Sequence, residues 1–465
     1  MARYDLVVIG SGPAGEKGAT QAAYFGKKVA LVEKAKVLGG AAANSGTISS
    51  KTLRETALYL SGFRQRGLFG VEVTLNRSVT VKDLLFRERV VKDHERDRVA
   101  WNLERHGVEV VRGQARFLDA GRVAVQALEG ERVLEADRVL IATGSSPFRP
   151  PTFDFQHPRI HDSDELVNLD AIPQRMAVVG GGVIGCEYAC MFQALGVQVT
   201  LVEGKERLLT FLDTEIADAL VARMQAMGVR FQKPDQVVRC DAGEGPITLS
   251  LKSGAALEVD QVLVAAGRNG NTATLGLEAV RLKPNPRGCL EVNEHFQTAV
   301  PSLYAAGDVI GFPALASTSM EQARIAVVHA FDLKYKTALA PVLPFGIFTI
   351  PEVSMAGATE QELQEKKVPY VAGRTSFGMN ARGLIIGDGS GMLKLLFEPE
   401  QMKLLGVHVI GEQATELVHI GLTALLAGGT ADLFIQTCFN YPTLSETYKY
   451  AAYDALGARA KASGK

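Results

Sequence analysis

No one sign of charge dominates this chain: 50 lysines and arginines stand against 51 aspartates and glutamates, for a formal net charge of −1. So even a balance excludes the basic field through which proteins hold nucleic acid or an anionic membrane surface. Long hydrophobic runs are missing too, and none approaches the roughly 18 apolar residues of a membrane span. Cysteine is scarce. There are five in 465 residues (Cys186, Cys190, Cys240, Cys289 and Cys438), an odd number thinly spread, which argues against a disulfide framework. Cys186 and Cys190 stand four apart on an expected helix, where Cβ atoms lie about 5–6 Å apart. A disulfide needs roughly 3.5–4.5 Å, so both read as small core residues. A strand pattern begins at Tyr4 and leaves no room for a signal peptide, so the expected compartment is the cytoplasm.

With 47% apolar residues in 465, the chain should bury more than one core and divide into two to four domains. From Tyr4 the order is apolar strand, glycine-rich turn, helix, then a second strand from Lys28 ending in Glu33. The turn reads Gly10-Ser11-Gly12-Pro13-Ala14-Gly15, a dinucleotide fingerprint in its required context. Gly10 makes the turn, Gly12 lets backbone approach a pyrophosphate, and Gly15 lets helix and strand pack closely. Glu33 stands where a carboxylate accepts from ribose hydroxyls, and Lys34 follows it. The pattern returns at Arg175–Val179 with Gly180, Gly182 and Gly185, then a strand ending in Glu203. Both acids fall 18 residues after their third glycine, so two dinucleotides are expected, one resident and one exchanged. Glu203 suits the ribose of NAD and repels a 2′-phosphate, while Lys205 and Arg207 supply the opposite preference or serve as ordinary surface charge. Between the two fingerprints, Thr80 to His106 has helical spacing and a capping box at Thr80 and Asp83. Its alternating charges, Arg87 to Arg96, read as a solvated face.

The stretch Gly39-Gly40-Ala41-Ala42-Ala43-Asn44-Ser45-Gly46-Thr47-Ile48-Ser49-Ser50-Lys51 resembles the redox loop of the flavoprotein disulfide reductases, the family of lipoamide dehydrogenase and glutathione reductase. That family writes it Gly-Gly-x-Cys-x-Asn-x-Gly-Cys-x-Pro-x-Lys. Ala42 and Thr47 occupy the cysteine positions here and Ser49 the proline position, so the frame is kept and the thiols are gone. The resemblance implies an α/β fold: two Rossmann-like dinucleotide-binding domains and a C-terminal α+β dimerisation domain. The expected boundaries are 1–148 and 270–338 for an FAD domain in two segments, 149–269 for the NAD(P) domain, and 339–465 for the interface domain.

For FAD, the resemblance implies contacts from Gly10, Gly12, Pro13, Ala14, Gly15, Glu33 and Lys34, and from Gly40, Thr47 and Lys51 in the loop. It adds Thr143 and Gly144, and the Gly307-Asp308 pair whose Asp holds the ribitol chain, with a helix from about Leu315 that includes Ala316. For NAD(H) and NADP(H), as exchanging substrates, it implies Gly180, Gly182, Gly185, Glu187, Glu203, Lys205, Arg207 and Gly267. Lys51 and Glu187 take the positions of a catalytic ion pair beside flavin N5. Tyr441, counted among the expected cofactor-binding residues, stands where the disulfide reductases place an acid–base histidine before Pro442, although Glu446 remains. A phenol with a pKa near 10 is a poor proton shuttle at neutral pH. No metal ligand set is expected, and Cys438 reads as core.

Within the family the chain most resembles the soluble pyridine nucleotide transhydrogenases, the branch without the redox pair. The likeness is carried by residues 154–160, 207–213, 267–272 and 439–443. It departs from that branch in having no cysteine at position 42 and in carrying Glu203, as NAD-linked members do. The implied activity is hydride transfer between NADPH and NAD+ through FAD without a disulfide. The implied assembly is a homodimer or larger homo-oligomer whose C-terminal domains cover each other's flavin sites. One alternative is an NAD(P)H dehydrogenase or diaphorase that passes electrons to a quinone or other small acceptor. A flavoprotein that has lost catalysis and serves as a binding module is another.

Overall fold

The computed structural model describes residues 2–62, 68, 79–166 and 169–462. Val7-Val8-Ile9 is apolar on both faces, the signature of a central strand in a parallel sheet, and the strand Ala2–Ile9 lies there, between Val29–Glu33 and Gly130–Ile141. Glu109–Arg112 adds a parallel edge. On the side away from Ala2–Ile9, the long strand Gly130–Ile141 serves two neighbours. Its first half pairs antiparallel with Arg122–Ala127, and its last residues pair in parallel with Leu303–Ala305, which returns from far along the chain.

A second parallel sheet takes the order 230–232, 198–202, 175–179, 261–264 and 160–162. The two sheets are joined where the strand Ser145–Pro147 pairs antiparallel with Arg268–Gly270, the outgoing and returning passes of the chain. The C-terminal part is an antiparallel five-stranded sheet (345–347, 352–357, 404–411, 392–397 and 371–376) with the helices Ala414–Leu426 and Thr447–Ala462 packed on it. The mixed α/β architecture expected from the sequence is the one observed.

Both fingerprint turns are built alike. Gly10 has φ +106° and Gly180 φ +112°, backbone that side chains rarely adopt. A Cβ on Gly15 would fall 1.8 Å from the Gly10 carbonyl oxygen, and one on Gly185 1.9 Å from that of Gly180. The helices Pro13–Tyr24 and Val183–Ala194 therefore start hard against their strands.

The helix Val81–Arg105 begins with the expected Thr80–Asp83 capping box, but its charges are not all solvated. Glu88 is buried, with its charge answered by Lys92 one turn on at 2.8 Å. Arg96 Nε donates to Asn44 Oδ1 at 2.6 Å, and the Asn44 amide donates to the carbonyls of Leu38 and Gly40. The helix thus holds the frame of the loop at 39–51. Cys186 and Cys190 are buried and unbridged as expected; burial pushes the Cys190 thiol up to about 12, which leaves it an unreactive core group. Cys438 is a correction. It lies exposed in the irregular run between the helix Ala431–Gln436 and the turn Leu444–Glu446, where no helix or strand face is available to bury it.

An ionic cluster joins the C-terminal sheet to the second parallel unit. The Lys394 ammonium, wholly buried, contacts Asp213 at 2.8 Å, Glu215 at 2.9 Å, and Glu360. Asp213 is also the N-cap of the helix Thr214–Met227, and Arg374 binds Glu215 at 2.9 Å. These carboxylate oxygens are close enough together to hold a cation, and they hold an ammonium.

Candidate active site

Strand ends and helix starts converge on a cavity of about 860 Å³. One part of its wall is the first fingerprint: Gly10, Gly12, Pro13 and Ala14, with Glu33 and Lys34 beside them. Glu33 is buried, and the turn fixes its carboxylate. Oε2 accepts from Ser11 N at 2.9 Å and Ser11 Oγ at 2.6 Å, and Oε1 accepts from Ala35 N at 2.8 Å. Glu203 repeats this arrangement, accepting from Gly181 N at 2.6 Å and Lys205 N at 2.8 Å. Equal spacing along the chain has become equal geometry, since each acid reaches back to the turn that precedes it.

The loop crosses the cavity through Gly40 and Thr47. Gly40 has φ +58°, and a Cβ there would meet Gly12 Cα at 2.8 Å, so loop and turn close on each other only because both are bare. The helix Thr47–Ser61 then carries Lys51 to the wall. Opposite it stands the second fingerprint helix. Positions 183 and 187, and 184 and 188, are one turn apart, so Val183, Ile184, Glu187 and Tyr188 share the face that lines the cavity. Lys51 Nζ lies 2.6 Å from Glu187 Oε2, and Glu187 Oε1 accepts from the backbone N–H of Phe348 at 2.8 Å. The Phe348 ring covers the ammonium at 5.0 Å. The structure thus joins two residues 136 apart in the chain into a fixed ion pair.

Thr143, Gly144, Gly307, Asp308 and Ala316 complete the wall, and the helix Ala316–Ala330 points its N-terminus at it. Other residues named from the sequence lie elsewhere. Gly15 is packed beneath its own turn; Gly180, Gly182, Gly185, Glu203, Lys205, Arg207 and Gly267 surround the second fingerprint outside this cavity. Arg207 pairs with Asp218 at 3.1 Å across an exposed surface. Tyr441 does not reach the cavity of its own chain and is 73% exposed.

Sequence reading passed over Ser145, Tyr188, Arg268, Asn271 and Phe348, all of which line the cavity. Arg268 and Asn271 sit inside a stretch the resemblance had singled out, and that was their only signal. Two buried hydroxyls on the wall, Thr143 Oγ1 and Tyr188 OH, have no hydrogen-bond partner among the described residues. No cysteine lines the cavity: Ala42 and Thr47 are on its wall, and the thiols lie elsewhere.

Comparison with known proteins gives the family. Residues 4–329 match the family model of the pyridine nucleotide-disulphide oxidoreductases, and residues 343–452 match that family's dimerisation domain. The soluble pyridine nucleotide transhydrogenase of Mycobacterium bovis BCG is 45% identical, with 98% of each chain covered. That of Colwellia psychrerythraea is 41% identical over 97% of this chain and 98% of its own. Among solved structures, LpdA from Mycobacterium tuberculosis superposes with a TM-score of 0.90 at 27% identity, covering 97% of this chain and 99% of its own. The HOCl-induced flavoprotein disulfide reductase RclA from Escherichia coli gives 0.88 at 26%, with the same coverage. Among the described residues no helix is long and apolar enough to cross a membrane. Full-length kinship and a shared fold lead to one conclusion: the chain is an oxidoreductase that belongs to the pyridine nucleotide-disulphide oxidoreductase family, alongside the soluble pyridine nucleotide transhydrogenases.

Proposed function

We propose that this protein binds FAD in the cavity and passes hydride from NADPH to NAD+ through it, with no redox disulfide. The observation that carries the reading is the wall itself, a dinucleotide fingerprint joined to a fixed Lys51–Glu187 pair with no thiol on that wall. The residues present fit the cofactor. Bare glycines let backbone approach a pyrophosphate, Glu33 keeps lone pairs for a ribose, and the unpartnered Thr143 hydroxyl awaits a ligand. Bound there, FAD would supply the ring that takes up and gives back hydride.

The protein's own groups do the rest. Lys51 presents a positive charge that Glu187 offsets and Phe348 shields from water. The N-terminus of the helix Ala316–Ala330 favours negative charge at the wall it faces. The second fingerprint holds each nicotinamide nucleotide in turn, with Val183 and Ile184 on the side nearest the cavity. Hydride exchange between the two nucleotides moves no net proton, so the loss of the histidine at position 441 costs this reaction nothing. Mixing enzyme with NADPH and then with NAD+ in a stopped-flow instrument should bleach and restore the flavin band. Reoxidation that needs a disulfide or quinone, with NAD+ inert, would refute the reading.

Glu203 and its neighbours set the coenzyme preference in this proposal. Glu203→Ala should raise KM for NADH about tenfold, as expected for the loss of a hydrogen bond to a charged group, and leave KM for NADPH unchanged or lower. Steady-state kinetics with both coenzymes decide it; equal losses for the two would remove Glu203 from that role.

The C-terminal domain would pair two copies, with the 437–443 segment of one, exposed at Cys438 and from Asn440 to Pro442, reaching the cavity of the other. Met379, Leu384, Tyr441, Tyr450 and Tyr453 lie exposed on the single chain and supply apolar surface for such a contact. Light scattering should give at least twice the chain mass; a monomer at micromolar concentration would exclude this arrangement.

A further inference from the structure

Asp308 is held from behind. Ser145 Oγ donates to Asp308 Oδ2 at 2.8 Å. Arg268 Nε donates to that same Ser145 hydroxyl at 2.8 Å, and Nη2 donates to the Ser145 carbonyl at 2.8 Å. The other edge of the guanidinium binds Asp164, at 2.9 Å from Nη1 to Oδ1. All four residues line the cavity, and the Arg268 side chain is 19% exposed.

Donor and acceptor counting gives the chain a direction. A serine hydroxyl has one proton, and a guanidinium can only donate. With Arg268 occupying a lone pair of Ser145 Oγ, the serine proton is committed to Asp308. One side of the Asp308 carboxylate is thereby fixed, at a residue that lines the cavity. The arrangement also crosses the fold. Ser145 and Arg268 sit on the two strands where the chain leaves and re-enters the first unit, and Asp164 belongs to the second.

We propose that Arg268 is a positioning residue for the flavin: through Ser145 it sets the carboxylate that receives the ribitol hydroxyls, and through Asp164 it ties that carboxylate to the nucleotide-binding unit. This rests on FAD occupying the cavity, as proposed above. Asp308 was expected to act from its motif alone; the structure makes it the end of a chain of three partners.

The test is a titration of apoprotein with FAD, followed by flavin fluorescence, with thermal unfolding of each variant as a fold control. Ser145→Ala should weaken FAD binding about 5- to 30-fold, and Arg268→Met about 10- to 100-fold. Ser145→Thr keeps the hydroxyl and should bind within about threefold of the wild type. Because the two residues act in series, the double variant Ser145→Ala/Arg268→Met should be no weaker than Arg268→Met alone. Independent effects would multiply, and that result overturns the proposal, as does a Ser145→Ala apoprotein that binds FAD like the wild type. If Arg268→Met does not fold, the contrast between alanine and threonine at 145 decides the matter. A wild-type apoprotein that takes up no FAD fails the proposed function itself, a result separate from any of these.

Discussion

Replacing Lys51 with alanine should slow reduction of the bound flavin by NADPH about 100- to 1,000-fold, the usual scale for deleting one preorganised electrostatic group at a reacting centre. The effect has two parts. The ammonium that favours negative charge on the ring is lost, and Glu187 is left buried with only the Phe348 N–H to satisfy it. An uncompensated carboxylate then opposes the charge the lysine had favoured. Lys51→Arg keeps the charge in a larger group and should recover part of the rate, whereas Glu187→Gln should slow it less than Lys51→Ala. Anaerobic stopped-flow at the flavin band measures all three, with flavin content checked first. A Lys51→Ala rate within about threefold of wild type would remove the pair from the proposed mechanism.

Lys394→Met should destabilise the protein by about 3–5 kcal/mol, the cost of removing one member of a buried ion cluster. Three carboxylates from two units now share one ammonium; without it they face each other, with Arg374 as the remaining partner of two. The pH dependence gives a sharper criterion. Burial works against the Lys394 charge, but its bonds to Asp213, Glu360 and Glu215 outweigh burial and raise its pKa. Burial likewise pushes Glu215 up, and the Arg374 and Lys394 bonds outweigh it and hold Glu215 low. A depressed carboxylate contributes stability above its unfolded pKa, near 4.3 for glutamate, and loses it as pH falls further. A raised lysine contributes fully below its own unfolded pKa, near 10.4. Wild type and variant should therefore differ most across the neutral range and converge below about pH 4. Urea midpoints measured from acid to neutral pH report this; a gap that widens in acid would contradict it.

The sequence carried the fold wherever local pattern and chain spacing agree. Two strand–glycine–helix units with an acid 18 residues on could be read directly, because turn, helix and carboxylate are neighbours in both sequence and space. Lys51 and Glu187 were named from motif position, but their 2.6 Å contact depends on two helices meeting from different units, which no local pattern encodes. Arg268 and Ser145 were passed over for the same reason: a lone arginine after glycine is indistinguishable from surface charge until the two crossing strands pair. The burial of Glu88 was missed because alternating charge along a helix looks identical whether that face is open or covered. Cys438 was misplaced because an irregular segment has no periodicity from which to infer burial.

Anaerobic reductive titration of the purified holoprotein is the decisive measurement. A centre with flavin and no thiol partner should take up one hydride equivalent per flavin from NADPH, reach full bleaching there, and return that equivalent to NAD+. Uptake of a second equivalent before bleaching is complete would reveal another two-electron acceptor beside the ring and contradict the proposed chemistry.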